Sequence, residues 1–205
     1  MVYHDIQTIF VQITKTASSS VHSLLANERE LSLPLVHLRY NKSVSDELIN
    51  GLDVSNYYSF SVVRNPYDRY VSSFFFMKKI YNWNKNFDEN LDDLLNKPQN
   101  WWDNTFILLR PQWWFVCNHD TYEIEVEEIY NYETINTDWP TIANKINTAN
   151  PEANISTILP TVNVTPGRES WETYYTGSLG QERAEKVEQL YAKDFEVFNY
   201  TKLIF

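Results

Sequence analysis

Apolar residues along the chain fall into short runs separated by polar, Asn-rich stretches, and the period of each run predicts its element. Ile9, Phe10, Val11 and Ile13 form a mostly apolar run of strand formers, too short for a helix and suited to a buried strand. Thr14-Lys15-Thr16-Ala17-Ser18-Ser19-Ser20 follows as a loop, and Val21, Leu24 and Leu25 then recur at helical spacing. The same order returns at residues 59–76. There Phe60, Val62 and Val63 read as a second buried strand, Arg64-Asn65-Pro66 as a turn, and Pro66 suits the first position of a helix whose apolar face is Tyr67, Tyr70, Val71 and Phe74.

Between these two units, Leu33-Pro34-Leu35-Val36-His37-Leu38 reads as a strand entered through a proline. Ser43 to Leu52 reads as a helix capped by Ser43 or Ser45, with Gly51 near its end. Strands linked in this way through helices are parallel. Downstream, residues 81–99 predict a short amphipathic helix carrying Leu91, Leu94 and Leu95 among loops. Tyr122 to Ile129 alternates polar and apolar as one half-exposed strand, either continuous or with a break. Thr137 to Ile146 predicts a helix capped by Thr137 or Asp138 with Pro140 in its first turn. Residues 150–168 form a long loop, and Gln181 to Tyr191 a last helix. The pattern predicts an α/β fold, a mainly parallel sheet flanked by helices, in a single domain over residues 1–205.

Composition narrows the class. A chain of 205 residues is long enough for one well-buried core and too short for two. Its 43% hydrophobic and 16% aromatic content argues for a folded globule rather than a disordered chain. A net charge of −10 argues against a nucleic-acid partner, because a phosphate backbone demands a basic face. Cys117 is the only cysteine, so a reducing compartment is the simpler reading. The opening Met1-Val2-Tyr3-His4-Asp5 lacks the basic start and apolar core of a signal peptide, and no apolar run approaches a membrane span. The expectation is a soluble, cytoplasmic protein with no membrane partner.

The candidate chemistry lies at the two strand-to-helix loops. The first sets backbone N–H groups, the positive end of a helix dipole, the Lys15 ammonium and the hydroxyls of Thr16, Ser18, Ser19 and Ser20 at one point, where an anionic group would bind. The alternative is a Ser-rich helix cap beside a surface lysine. The loop is not a Walker A sequence: the glycines are absent, and the nearest glycine is Gly51. A nucleotide kinase, which would also want magnesium-binding acids, is therefore disfavoured. At the second loop, Arg64 and, two turns into the helix, Ser72 could both reach a second phosphate, the arginine through its bidentate fork.

Both stretches resemble the two cofactor motifs of sulfotransferases that use 3′-phosphoadenosine 5′-phosphosulfate (PAPS). The resemblance implies a P-loop-like, nucleotide-binding sulfotransferase fold. It implies that Lys15, Thr16, Ala17, Ser18, Ser19 and Ser20 receive the 5′-phosphosulfate, and that Arg64 and Ser72 hold the 3′-phosphate. Thr14 stands where the family usually has proline. The first loop is most similar to that of the glycan-modifying branch, including uronyl 2-O-sulfotransferases, which implies a carbohydrate or small-molecule acceptor hydroxyl and PAP as the nucleotide product. Asn163-Val164-Thr165-Pro166-Gly167-Arg168 resembles the family's late loop over the nucleotide, with Arg168 bridging to the 3′-phosphate. Asp194-Phe195-Glu196-Val197-Phe198 resembles its closing turn.

Sulfuryl transfer needs a group to take the acceptor's proton, and histidine titrates near working pH. The resemblance favours His37, after the strand that follows the phosphosulfate loop; His119 is the rival. A histidine merely bonded at a strand end is the structural alternative for His37. Carboxylates and histidines at metal-ligand spacing are lacking, so no metal is expected. Trp101, Trp102, Trp113, Trp114 and Phe115 around Arg110 could present ring faces to an acceptor or could simply pack the edge of the sheet. A non-catalytic nucleotide-binding protein that kept the loops is the competing class.

Overall fold

A computed structural model describes residues 1–26, 54–98, 102, 106–161 and 169–205. The predicted strand at 33–38, the predicted helix at 43–52, His37 and Arg168 lie outside these residues. In chain order the described elements are β1 (Val2–Tyr3), β2 (Thr8–Val11), α1 (Ser18–Leu25), β3 (Tyr58–Val63), α2 (Pro66–Tyr81), α3 (Phe87–Leu95), α4 (Trp113–Val116), β4 (Glu128–Asn131), α5 (Ile135–Ala149), α6 (Gly180–Leu190) and α7 (Ala192–Val197). They divide into two compact units, one of residues 1–63 and 114–164, the other of residues 64–113 and 165–205.

The first unit holds a sheet of order β1-β2-β3-β4. β2 pairs parallel with β3, setting Phe10 opposite Phe60, and β3 pairs parallel with β4, setting Val62 opposite Tyr130. The Phe10 and Phe60 rings stack at 5.0 Å. Cross-strand pairs of this kind are the unit of sheet stabilisation. Against them pack Val21 and Leu25 of α1 and Ile135, Trp139, Ile142, Ala143 and Ile146 of α5. The α5 positions recur every three or four residues, so one helical stripe is buried. Trp139 is fully buried and its indole N–H donates to the Ser156 carbonyl at 2.8 Å. The fold is α/β, with a mostly parallel sheet flanked by helices.

The structure adds one strand, resolves one alternative and shifts one helix boundary relative to the sequence expectations. β1 is an additional strand, antiparallel to β2, with Val2 opposite Ile9. At 122–129 the structure takes the alternative with a break: Ile124 makes only an isolated bridge to Cys117, and the regular strand begins at Glu128 and runs to Asn131, two residues past the expected end. At the break the Glu127 N–H donates to the Ser59 hydroxyl at 2.9 Å, so a side chain replaces the ladder bond. Helix α5 starts at Ile135 rather than Thr137, which leaves Pro140 inside the helix. Ile135, 3% exposed, extends the buried stripe one turn back from Trp139, and that burial offsets the one helical N–H that proline lacks.

A polar cluster closes the sheet edge. Glu128 accepts from the Tyr58 hydroxyl at 2.6 Å and from Tyr130, and it pairs with Lys145 of α5. Burial pushes the Glu128 carboxyl up, but bonds from Lys145, Tyr130 and Tyr58 outweigh it and hold the carboxyl down at about 2. A depressed carboxylate stabilises the fold above its ordinary value and loses that contribution as pH falls through the lower one. The stability advantage of wild type over Glu128→Gln should therefore fade between pH 4.5 and about 2 in denaturant titrations. An advantage that does not change over that range would contradict the cluster.

The second unit is helical. Tyr67, Tyr70, Val71, Phe74 and Met77 of α2 pack with Phe87, Leu91 and Leu94 of α3, with Val187 and Leu190 of α6, and with Tyr191 and Phe195. Each buried phenol finds an acceptor: Tyr70 donates to Asn90 at 2.7 Å and Tyr191 to the Leu109 carbonyl at 2.8 Å. Asn86 and Glu89 form a full capping box at the start of α3. Arg183 of α6 meets Asp88 of α3 with two bonds of 2.6 and 2.7 Å. Asp194, expected in a closing turn, lies instead inside α7.

Candidate active site

The loop between β2 and α1 turns tightly without a glycine. Lys15 and Ala17 both take left-handed backbone conformations, with φ of 68° and 62°. Each costs a non-glycine residue about 1–3 kcal/mol, and such residues cluster at binding sites, where their N–H groups form anion-binding concavities. Thr16, fully buried, holds the turn by donating its hydroxyl to the Ile13 carbonyl at 2.9 Å. The Ala17 carbonyl accepts from the N–H groups of Ser20 and Val21 at 2.9 and 3.1 Å and so starts α1.

The N-terminus of α1 receives no side-chain cap, and its first turn carries no acidic residue. The Ser-rich cap considered above is therefore not what the serines form. Lys15, Ala17 and Ser18 are half-buried, Ser19 is exposed and Ser20 is buried. The loop thus offers the dipole's positive end, one ammonium and several hydroxyls, and nothing of opposite sign within it.

In the second unit Arg64 follows β3 directly and precedes the cap of α2. Asn65 caps that helix by accepting from the Tyr67 N–H at 3.0 Å, and Pro66 occupies its first turn as expected. The Arg64 guanidinium bonds Asp68 through Nε at 2.7 Å and through a terminal nitrogen at 2.6 Å, with 7% of its side chain exposed. Ser72, also 7% exposed, lies one helical turn beyond Asp68, so Asp68 and Ser72 share a stripe of α2.

A family model described as the sulfotransferase family matches residues 1–201. The chain belongs to the sulfotransferase family. No curated protein and no solved structure matches it. Its activity is thus that of a transferase moving a sulfuryl group. The α/β fold with a mostly parallel sheet agrees with that family.

In this sulfotransferase the described histidines each have a partner. His119 has Nε2 2.9 Å from the Trp114 carbonyl and its ring 5.7 Å from the Trp114 ring. His22, on α1, has Nδ1 2.9 Å from the Tyr3 hydroxyl, and burial lowers its pKa. His4 meets the Tyr57 hydroxyl at 3.0 Å. Of the tryptophan-rich segment, Trp113 and Phe115 are buried and serve the core, whereas Trp102, Trp114 and Arg110 are half-buried. Among the described residues no group of three His, Cys, Asp or Glu could hold a metal ion, and no helix is long and apolar enough to cross a membrane.

Sequence reasoning missed the residues that support Arg64 in the sulfotransferase. Gln112 is fully buried and spans the Arg64 backbone: its Oε1 accepts from the Arg64 N–H and its Nε2 donates to the Arg64 carbonyl, both at 2.8 Å. Asp194 of α7 in turn accepts from the N–H groups of Gln112 and Trp113 at 2.8 and 2.9 Å. Arg69, wholly buried, pulls the Asp194 carboxyl down along with those bonds, yet burial dominates and raises it to about 6. No local signal reveals these links, since the partners stand 48 and 82 residues apart.

Proposed function

We propose that this sulfotransferase takes its sulfuryl group from PAPS and passes it to an acceptor hydroxyl on a carbohydrate or small molecule. The observation that carries the reading is the uncapped N-terminus of α1, entered through two left-handed residues and accompanied by Lys15. A group with several negative oxygens fits the donors this loop supplies. Bound there, PAPS would supply an activated sulfuryl group; no metal is called on for it.

In this reading the N–H groups from Lys15 to Ser19 hold the phosphosulfate, with hydroxyls of Ser18 and Ser19 beside them, while the Thr16 hydroxyl and the Ser20 N–H, bonded to the Ile13 and Ala17 carbonyls, shape the turn that presents them. Lys15 places its ammonium where negative charge grows on the bridging oxygen. Arg64 and Ser72 hold the 3′-phosphate, with Arg168 reaching the same group. His37 accepts the proton of the acceptor hydroxyl, turning it into a nucleophile. Positioning and charge stabilisation then supply most of the rate, as in phosphoryl transfer.

Calorimetry with adenosine 3′,5′-bisphosphate, followed by transfer of radiolabelled sulfate from PAPS to a panel of sugars and small alcohols, tests this reading. Binding with transfer supports it. Binding without transfer to any acceptor would leave a nucleotide-binding protein, and no binding would remove PAPS as the donor. His37→Ala should abolish most turnover and leave nucleotide affinity nearly intact; unchanged turnover would retire His37 as the base.

A further inference from the structure

We infer that Gln112 is a positioning residue for Arg64, and that the sulfotransferase's preference for 3′-phosphorylated nucleotides depends on it. The inference rests on the reading that Arg64 holds the 3′-phosphate. Its own basis is geometric. β3 ends at Val63, whose carbonyl accepts the last ladder bond, from the Tyr132 N–H at 2.7 Å. One residue later Arg64 lies past the ladder, only 6% exposed, with an N–H and a carbonyl that both require partners.

The Gln112 amide supplies both at 2.8 Å, as a neighbouring strand would for one residue. Gln112 is itself fixed through its own N–H, bonded to Asp194 at 2.8 Å. Asp68 holds the other end of Arg64 with bonds of 2.7 and 2.6 Å to the guanidinium. Arg64 is thereby held at its backbone and at its charged head before any ligand arrives. A side chain ordered in this way loses little conformational freedom on binding, which raises affinity for the group it meets.

Removing the amide frees the Arg64 backbone and leaves its two polar groups without their partner. The guanidinium would then sample positions away from the phosphate. The effect should fall on recognition of the 3′-phosphate and spare the rest of the nucleotide. A general loss of structure would weaken every nucleotide alike.

The experiment is calorimetry on the full chain with adenosine 3′,5′-bisphosphate and with adenosine 5′-monophosphate, reading the ratio of the two affinities. Gln112→Met keeps the shape and removes both bonds, and the ratio should fall ~10-fold. In an Arg64→Ala background the same substitution should change the ratio no further, because its effect runs through Arg64. Gln112→Glu, which keeps an acceptor for the Arg64 N–H, should give an intermediate ratio, and it serves as the test if Gln112→Met does not fold.

A ratio that falls with Arg64→Ala and stays at the wild-type value in the Gln112 variants would overturn the inference while leaving Arg64 in its role. So would an equal weakening of both nucleotides. A wild-type ratio near one would instead remove the 3′-phosphate from Arg64 and take the inference with it.

Discussion

Lys15→Met lowers kcat for sulfuryl transfer by about 10²–10³-fold, the loss typical of removing one preorganised charge-stabilising donor, while leaving the fold intact. The side chain is half-buried and lies outside both hydrophobic clusters, so methionine can lie along the same path without opening a cavity. The backbone at residue 15 keeps its left-handed conformation in either variant, so the strain of that position cancels in the comparison. What remains is the charge.

If Lys15 acts on the departing nucleotide, the loss falls mainly on kcat, because the charge it meets grows only as the bond breaks. Steady-state kinetics with PAPS as the varied substrate, alongside a thermal melt, separates the cases. A variant that raises KM at unchanged kcat would make Lys15 a binding residue only. One with wild-type kcat and KM would place the chemistry elsewhere.

The strand-loop-helix unit at residues 9–25 was legible because its apolar runs change period abruptly, from a strand to a helix, across a segment too polar to be either. The strand and helix around Arg64 were legible for the same reason, with Pro66 marking the boundary. Local chemistry set these elements, and the structure agrees to within a residue or two. The errors share a different cause. β1 is two residues long and exists because β2 offers it an edge. The alternation at 122–129 allowed a break but could not say where, because the bond at the onset of β4 goes to a hydroxyl on Ser59, far off in sequence.

The start of α5 was misplaced because Pro140 was treated as a boundary when burial of Ile135 mattered more. The candidate site divides in the same way. Lys15, the serines and Arg64 were readable as residue types in a known order, whereas the hydrogen bonds that fix Arg64 run through Gln112 and Asp194, which become its neighbours only on folding.

Asp194→Ala should destabilise the protein by about 3–5 kcal/mol at neutral pH, the range for breaking a buried ionic arrangement by removing one partner. Asp194 is fully buried; without it the N–H groups of Gln112 and Trp113 lose their acceptor, and the buried Arg69 guanidinium loses a favourable charge. The same residue makes an unusual contribution to pH dependence. Burial raises its carboxyl from 3.8 to about 6, so between those values the folded protein holds a proton that the unfolded chain has released.

Wherever the folded state binds more protons, stability falls as pH rises. Asp194 therefore opposes Glu128, whose contribution falls as the solution becomes more acid. Asp194→Asn keeps the size and cannot titrate. The stability of wild type relative to Asp194→Asn should drop by about 3 kcal/mol in all as pH rises from below 3.8 to well above 6, most of it between pH 4 and pH 6, and then level off. Denaturant unfolding at a series of pH values reads this difference directly. A difference that is flat across that range, or that grows with pH, would mean that the buried carboxyl stays ionised throughout and that Arg69 and the two amides outweigh its burial.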